Sequence, residues 1–261
     1  MIDLHTHILP GIDDGVNDME ECVEFGRMAE RDGVKTIVAT PHYREGFYVN
    51  ERPGILELVE KVRERFKAEE VGIDLLPGAE VHLCPDLVDR IADGRATTLA
   101  NNGKTLLLEL SLSQYPVDLE NVIFQLKLAG IIPLFAHPER IRYFQDDPKR
   151  YEEVVRLGSW GQITTGSILG TFGREAAEYS RELLEKGLVH VIASDAHNIR
   201  GRPPLMREAM LTAAEIVGEE YAQAMVTSAP KAFVEGNEPD LPELKRARSK
   251  PSLFSRLFGR G

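Results

Sequence analysis

The stretch Ile2-Asp-Leu-His-Thr-His7 decides how the rest of the chain is interpreted. A short apolar run leads into two histidines that are two residues apart. In an extended chain, residues i and i+2 point to the same side, so His5 and His7 can bind one metal ion together where a strand ends. If this is a metal site, other strands of the fold must end in further ligands.

Seven strands are predicted, and helical patterns alternate with them. The predicted strands are Ile2–Leu4, Thr36–Thr40, Ile73–Leu76, Thr105–Leu110, Ile131–Ala136, Gly161–Thr165 and Leu188–Ala193. The predicted helices are 18–33, Pro53–Glu70, Pro85–Ala92, Leu119–Leu128, Pro148–Leu157, Glu175–Lys186, Met206–Val217 and Glu219–Thr227. Such alternation indicates parallel βα units, and at 261 residues it favours a single-domain α/β barrel.

Local signals fix several helix boundaries. Asp18 is predicted to cap the first helix, with Glu21 completing a capping box, and Gly33 is predicted to end it. The second helix is expected to turn four apolar side chains to the core, namely Ile55, Leu58, Val62 and Phe66. Basic residues and prolines become frequent from Asn237 onward, which predicts a domain over residues 1–236 and a separate tail over 237–261.

Composition excludes several classes of protein. The net charge of −11 argues against a nucleic-acid partner, because phosphate backbones attract basic surfaces. Two cysteines, Cys22 and Cys84, imply no disulfide framework. The amino terminus lacks a signal-peptide pattern, and no apolar run approaches the roughly 20 residues that span a bilayer. We therefore expect a cytoplasmic protein.

Metal-capable side chains stand at the ends of six of the seven predicted strands. They are His5, His7, His42, Glu80, Glu109, His137, Asp195 and His197. The carboxyl ends of barrel strands meet on one face, and that face holds the active site. Imidazole and carboxylate ligands without thiolate suit Mn²⁺, Fe or Zn²⁺. The pattern therefore predicts a metal site at this face of the barrel.

The same motifs resemble a known family. The sequence is similar to the polymerase-and-histidinol-phosphatase (PHP) superfamily, and closest to its metal-dependent protein-tyrosine phosphatases encoded with bacterial capsule and exopolysaccharide genes (CpsB/YwqE-like). The motifs that carry the resemblance are His5-Thr-His7-Ile-Leu-Pro-Gly-Ile-Asp-Asp14-Gly, Ala-Thr-Pro-His42, His137-Pro-Glu-Arg140, Gln162-Ile-Thr-Thr-Gly-Ser, Gly-Thr-Phe-Gly and Ser194-Asp-Ala-His-Asn-x-x-Gly-Arg202-Pro-Pro. The resemblance covers about residues 1–235 and implies a distorted (β/α)7 barrel, the PHP fold.

The resemblance also implies three divalent metal ions, with Mn²⁺ favoured over Fe or Zn²⁺. One ion would be bound by His5, His7, Glu80 and Asp195, and Glu80 would bridge to a second bound by Glu109 and His137. The third ion would be bound by Asp14, His42 and His197.

Three divalent ions would outweigh the four carboxylates and leave a positive centre. Arg140 and Arg202 would add guanidinium forks for phosphate oxygens, although both could instead be surface ion-pair partners. The predicted reaction is phosphate-ester hydrolysis by metal-activated water, with His42 helping the leaving phenolate. The predicted substrate is a tyrosine-phosphorylated protein, in particular a membrane tyrosine kinase of exopolysaccharide control.

Other interpretations stay open. The chain could be a small-molecule phosphatase of the histidinol-phosphate type, a phosphoesterase acting on nucleotides, or a non-catalytic metal-binding regulator. Cys84 and Arg90 match the bare pattern of cysteine phosphatases, but Pro85, Asp86 and Asp89 suit that loop poorly.

Side chains outside the ligand pattern receive weaker expectations. Tyr43, Phe47 and Tyr48 either stack on a substrate ring or pack, and His190 is expected to be structural. The tail, 249–260, is expected to be solvated or to contact a membrane surface weakly through Leu253, Phe254, Leu257 and Phe258.

Overall fold

The structure is a computed structural model that describes residues 1–244. The strands are β1 (Ile2–Thr6), β2 (Thr36–Ala39), β3 (His42–Arg44), β4 (Tyr48–Val49), β5 (Asp74–Pro77), β6 (Glu80–His82), β7 (Thr105–Glu109), β8 (Ile132–Ala136), β9 (Trp160–Thr164) and β10 (Val191–Ala193). The helices are α1 (Met19–Asp32), α2 (Arg52–Ala68), α3 (Leu87–Ala92), α4 (Leu119–Leu128), α5 (Arg142–Asp146), α6 (Pro148–Arg156), α7 (Thr165–Ile168), α8 (Arg174–Lys186), α9 (Arg207–Val217), α10 (Glu219–Met225) and α11 (Ser228–Val234). Short 3₁₀ turns cover Leu99–Asn101 and Pro138–Arg140.

Parallel pairing arranges the strands around a barrel. One sheet has the order β1-β2-β5, and the other runs β10-β9-β8-β7-β6-β3 with β4 antiparallel at its edge. Because β3 continues the path of β2, and β6 that of β5, the two sheets are two parts of one wall. The wall closes where the amide of Asp195 donates to the carbonyl of His5 and Thr6 pairs with Ala196. The predicted α/β barrel is confirmed.

Two short strands that were not predicted, β3 and β6, continue the wall beyond the second and third predicted strands. The wall is interrupted after the second at Thr40-Pro41, because proline has no amide hydrogen for the ladder. It is interrupted after the third at Gly78, where a Cβ atom would lie 2.9 Å from Val38 Cγ1. These breaks start β3 and β6 at His42 and Glu80, both of which were predicted as ligands.

Two apolar layers hold the wall in place. The outer layer packs helices against the sheet, as Val62 and Phe66 of α2 do. The inner layer includes Leu107, Leu134 and Val191 from three strands, together with Phe233. Phe233 belongs to α11, which was not predicted, and its carbonyl accepts hydrogen bonds at the start of β7. Helix α11 therefore closes the amino end of the barrel.

The first two helices can be compared with the capping and packing residues predicted for them. The side chain of Asp18 accepts from the amide of Glu21, and Gly33 ends α1 with φ of 99°, as predicted. The capping box is wrong in its second half, because Glu21 accepts from Asn17 instead of Asp18. On α2, Val59 is buried instead of Leu58, since Ile55, Val59, Val62 and Phe66 follow the spacing of four, three and four residues that lines one helix face.

The end of the described chain stays close to the barrel. Leu241 and Leu244 pack partly against the core, and the domain boundary at residue 236 stays a prediction. The predicted membrane-contacting segment, with Leu253, Phe254, Leu257 and Phe258, lies outside the described residues. Over residues 1–244, no helix combines the length and the apolar character needed to cross a membrane.

Candidate metal centre

Four predicted ligands from three separate parts of the chain meet at the carboxyl end of β1. His5 Nε2 lies 3.2 Å from Glu80 Oε2 and 3.3 Å from Asp195 Oδ1. His7 Nε2 lies 3.4 Å from the same Glu80 oxygen and 3.5 Å from the same Asp195 oxygen. The two imidazole nitrogens are 3.3 Å apart. We call His5, His7, Glu80 and Asp195 the first donor group.

The spacing of the first donor group fits a bound cation. Ligand atoms about 2.1 Å from a metal in tetrahedral geometry lie about 3.4 Å from one another, which matches the measured separations. Glu80 and Asp195 are almost completely buried. Among the described residues, Glu80 Oε2 finds no hydrogen-bond donor in suitable geometry. Buried carboxylates and imidazole nitrogens that converge on one point are suited to a divalent ion.

Hydrogen bonds behind the histidines direct their free nitrogens toward this point. His5 Nδ1 donates to Gln162 Oε1 at 2.9 Å, and His7 Nδ1 donates to Asp13 Oδ2 at 2.7 Å. With Nδ1 carrying the proton, Nε2 keeps the lone pair that a metal requires. Gln162 lies on β9, the one predicted strand that supplies no ligand, so this strand orients a ligand instead.

Asp13 is the site residue that sequence reasoning missed. The prediction used the neighbouring Asp14, but the buried carboxylate of Asp13 also accepts the amides of Gly15 and His42. Burial alone would raise the pKa of Asp13, and the hydrogen bond from His7 outweighs it and lowers the pKa. The signal in the sequence is the pair of adjacent aspartates before Gly15. One of them can bind a metal ion while the other orients a histidine ligand.

A second donor group surrounds Asp14, which is half-exposed. His42 Nε2 and His197 Nε2 each lie 3.4 Å from Asp14 Oδ1. The ring of His7 stands beside that of His197, with centroids 3.9 Å apart, so the second group adjoins the first. His197 Nδ1 donates to the carbonyl of Asp195 at 3.0 Å, which leaves Nε2 free to accept a cation.

Glu80 connects the first donor group to a third one. Its other carboxylate oxygen lies 2.9 Å from His137 Nε2, and His42 Nδ1 lies 3.0 Å from Glu80 Oε2. Glu109 Oε2 is 3.8 Å from His42 Nδ1, is buried, and has no hydrogen-bond partner within the described chain. His42, Glu80 and Glu109 thus offer ligand atoms within 4.8 Å of one another, and His137 contacts the other oxygen of Glu80. The predicted ligands Glu80, Glu109 and His137 form the third donor group, and His42 borders both this group and the second.

The carboxylates and the histidines of the centre stabilise each other's charged forms. Burial alone would raise the pKa of Glu80 and Asp195, but the facing histidines outweigh it and hold both pKa values well below the usual range. Burial alone would lower the pKa of His5, and the carboxylates of Glu80 and Asp195 raise it instead. The centre therefore needs positive charge, which protons or metal ions can supply.

Two of the predicted ligand residues have unusual backbone angles. His137 has φ of 36° and Asp195 has φ of 53°, a region that non-glycine residues seldom adopt. Each follows a barrel strand and turns its side chain inward. Such conformations cost free energy and persist only where the surrounding structure holds them, which is typical of functional sites.

Two arginines meet on the outer oxygen of Asp195. Arg140 Nη1 donates to Asp195 Oδ2 at 2.7 Å, and Arg202 Nη2 lies 2.5 Å from the same atom. Phe172 packs against both guanidinium groups, at 4.7 Å from Arg140 Cζ and 5.3 Å from Arg202 Cζ. A cation–π contact of this kind keeps the two groups side by side. Both arginines therefore contact the centre and are more than surface ion-pair partners.

The chain matches one family of known proteins over nearly its whole length. The family model for capsular polysaccharide synthesis, CpsB/CapC, matches residues 1–235. The chain belongs to the CpsB/CapC family. Tyrosine-protein phosphatase YwqE of Bacillus subtilis (strain 168) is 35% identical over 229 residues, covering 88% of this chain and 90% of YwqE. Tyrosine-protein phosphatase CpsB of Streptococcus pneumoniae is 32% identical over 241 residues, covering 90% of this chain and 98% of CpsB.

A solved structure of CpsB/CapC relatives has the same fold. The crystal structures of YwqE from Bacillus subtilis and CpsB from Streptococcus pneumoniae, described as unique metal-dependent tyrosine phosphatases, include a chain that superposes with a TM-score of 0.88 at 33% identity. The match covers 95% of this chain and all of that chain. The family and the fold predicted from the motifs are therefore confirmed.

Cys84 and Arg90, which match the cysteine-phosphatase pattern, lack the chemical environment of a nucleophile and a phosphate-binding arginine. Burial raises the pKa of the Cys84 thiol to about 11, so the thiolate is scarce near neutral pH. Arg90 is held by Asp86 and Glu45 and is not available to an anion. Cys84 therefore lacks the features of a nucleophile.

Of the aromatic residues that follow His42, some pack against neighbouring side chains and one is exposed to solvent. Tyr43 is buried, and its hydroxyl accepts from Arg90. Tyr48 stacks on the ring of His42, with centroids 5.7 Å apart, while the side chain of Phe47 is 71% exposed. His190 is buried, and its Nδ1 accepts the amide of Gly161, which is the arrangement of a structural histidine.

Proposed function

We propose that this chain is a metal-dependent protein-tyrosine phosphatase that acts in capsule or exopolysaccharide biosynthesis. The observation that carries the proposal is that three adjoining clusters of imidazole and carboxylate groups lie beside two guanidinium groups, which meet on the outer oxygen of Asp195. Relatives that cover most of the chain bear the name tyrosine-protein phosphatase. A phosphate monoester would meet positive charge from both sides of such a centre.

We propose three divalent ions as cofactors, with Mn²⁺ favoured and Fe or Zn²⁺ as alternatives. His5, His7, Glu80 and Asp195 would bind the first, Glu80, Glu109 and His137 the second, and Asp14, His42 and His197 the third. When bound, the ions would supply Lewis-acid stabilisation of the phosphoryl oxygens and would lower the pKa of water.

The protein's own groups would then orient the substrate. Arg140 and Arg202 would bind phosphoryl oxygens through paired N–H donors, which are preorganised because Asp195 and Phe172 already hold them. Glu139 accepts from the amide and the hydroxyl of Thr164, which ties the turn carrying Arg140 to β9. Both ring nitrogens of His42 face carboxylates of the centre, so His42 would help the leaving phenolate indirectly, through a neighbouring water that protonates the phenolate oxygen.

The proposed substrate is a tyrosine-phosphorylated protein, in particular a membrane tyrosine kinase of capsule or exopolysaccharide synthesis. A phosphotyrosine at the centre explains why the donor groups are open to solvent on one side, at Asp14 and His42. We further propose that the protein works in the cytoplasm, at or near the inner face of the membrane where such a kinase presents its tyrosines.

The His5→Ala variant tests the proposed function. It should lose more than about 10³-fold in turnover of a phosphotyrosine peptide, because it removes a ligand of the proposed first ion, whose donor group adjoins both others. The Cys84→Ser variant is the matched control and should retain activity with added Mn²⁺. Full activity of His5→Ala, or activity of the parent protein that survives chelation, would overturn the proposal.

The substrate class needs a separate comparison. Side-by-side turnover of a phosphotyrosine peptide, histidinol phosphate and a nucleotide ester should show a clear preference for the peptide. A preference for histidinol phosphate would favour the small-molecule alternative. Absence of turnover for every ester, in protein that has bound metal, would favour a non-catalytic regulator.

A further inference from the structure

A pocket of about 260 Å³ opens beside the metal centre, and neither Arg140 nor Arg202 lines it. Its lining includes Tyr43, Arg44, Glu45, Phe47, His82 and Arg90. None of these residues belongs to the predicted ligand set. The residues come from the β3–β4 hairpin, from β6 and from the chain that follows β6 into α3.

Strand register places this pocket next to the ligands. β3 and β6 pair in parallel with His42 beside Glu80 and Tyr43 beside Val81. Arg44 follows His42 by two residues on β3, and His82 follows Glu80 by two residues on β6. Because side chains alternate along a strand, both point to the same side of the sheet as these two predicted ligands. His82 pairs in turn with the ligand Glu109 of β7.

Arg44 is a cation without a carboxylate partner. Within residues 1–244 no acidic group lies within ion-pair distance of its guanidinium, although the protein carries a net charge of −11. The nearby Glu45 is already paired with Arg90 at 2.7 Å. The guanidinium instead lies 4.4 Å from the ring of Phe47, which holds it in place while its N–H donors stay free.

His82 adds a second polar group that lacks a partner. Its Nδ1 bonds to the carbonyl of Leu83, and its Nε2 is buried without a hydrogen-bond partner among the described residues. A buried polar atom without a partner is uncommon and is often satisfied by a ligand. Because Nδ1 donates to that carbonyl, Nε2 carries a lone pair and accepts a hydrogen bond. Arg44 therefore offers an anion a fixed charge, and His82 offers an acceptor for an N–H group of the same ligand, such as a backbone amide.

We propose that this pocket binds the carboxylate of an acidic residue next to the phosphotyrosine of a protein substrate. The inference rests on the proposed phosphatase function and adds a preference for substrate sequence. A volume of about 260 Å³ accommodates one Asp or Glu side chain. Phe47, 71% exposed on the hairpin, provides an apolar edge along which the peptide lies.

Phosphotyrosine peptides with a single glutamate test the pocket. The glutamate is moved from three residues before the phosphotyrosine to three residues after it, and each peptide is compared with its glutamine counterpart. At one or two positions the parent protein should prefer glutamate by about fivefold to tenfold in kcat/KM. Arg44→Gln should reduce that ratio to about one, and Arg44→Glu should reverse the preference toward glutamine.

Two controls separate the possible results. Arg31→Gln removes one positive charge, as Arg44→Gln does, but at the end of α1. This end leads into the amino end of β2 and faces away from the centre, so the variant should keep the glutamate preference. Turnover of p-nitrophenyl phosphate by the parent protein tests the phosphatase function independently of the pocket. If the parent shows no glutamate preference, or Arg44→Gln keeps one, the pocket proposal is wrong even where the phosphatase activity is present.

Discussion

Asp13 illustrates how much one side chain holds together. Its two carboxylate oxygens accept from His7 Nδ1 and from the amides of Gly15 and His42. It therefore joins a ligand on β1, its own loop and the start of β3. A carboxylate behind a metal-binding histidine also raises the basicity of the ligand nitrogen.

The Asp13→Asn variant should weaken metal binding without unfolding the protein. An asparagine amide is uncharged and can turn its nitrogen toward His7, so the ring of His7 loses the partner that fixes its proton on Nδ1. We expect metal affinity to fall by about 10- to 100-fold. Titration of chelator-treated protein with Mn²⁺ measures this, and an unchanged affinity would show that Asp13 only supports the loop.

At the scale of elements, the loop between β1 and α1 is the part of the site with the least regular structure. It turns back on β1, because the amide of Val16 donates to the carbonyl of His7 and that of Gly11 donates to the carbonyl of Val16. Gly15 lies so close to His7 that a Cβ atom at this position would overlap its carbonyl. The loop can present Asp14 only because residue 15 has no side chain.

The Gly15→Ala variant should disrupt the site and lower stability. We expect a loss of about 1–3 kcal/mol in the free energy of unfolding, because either the loop or the end of β1 must shift. Gly54→Ala in α2 is the matched control, since an added methyl group there would have no neighbouring atom within 4 Å, and it should gain up to about 1 kcal/mol. Urea unfolding measures both, and equal stability of the two variants would contradict the packing argument.

At the scale of the whole molecule, the sequence predicted the barrel well, because its strands are short apolar runs that end in polar ligands. Local chain chemistry carries this information, as with Asp18 and Gly33 around α1. Contacts between distant segments were not predictable from spacing. The support of His5 by Gln162 and the closure of the barrel by Phe233 exist only after the chain has folded.

The missed elements have the same cause. The sequence of α11 contains Pro230 and is short, so its helical propensity is weak and tertiary packing decides its structure. The β3–β4 hairpin was not predicted, because strands of three and two residues are too short to show a periodic pattern. Asp13 and Asp14 differ in burial alone, and sequence does not reveal which of two adjacent aspartates turns inward.

Stability of the whole fold should decrease on acidification through His190. Burial lowers the pKa of His190 to about 4 from an ordinary value of 6.5. The unfolded chain then binds more protons than the folded protein between these values, so stability is lost as pH falls from 6.5 toward 4. The contribution between pH 7 and pH 5 is about 2 kcal/mol.

The His190→Asn variant isolates this contribution. Asparagine keeps an acceptor near the position of Nδ1 for the amide of Gly161 but does not titrate. In chelator-treated protein, the variant should lose about 2 kcal/mol less than the parent between pH 7 and pH 5. Urea unfolding at the two pH values measures the difference, and parallel losses would mean that other groups dominate the acid response.

The central claim is that nine side chains scattered along the chain form one polynuclear metal centre. A crystal structure of the Mn²⁺-loaded protein, with anomalous scattering recorded at the manganese edge, tests it most directly. The account predicts three peaks, one within each donor group, with Glu80 between two of them. No peak between His5 and Asp195, or peaks bound by residues outside the three groups, would contradict it.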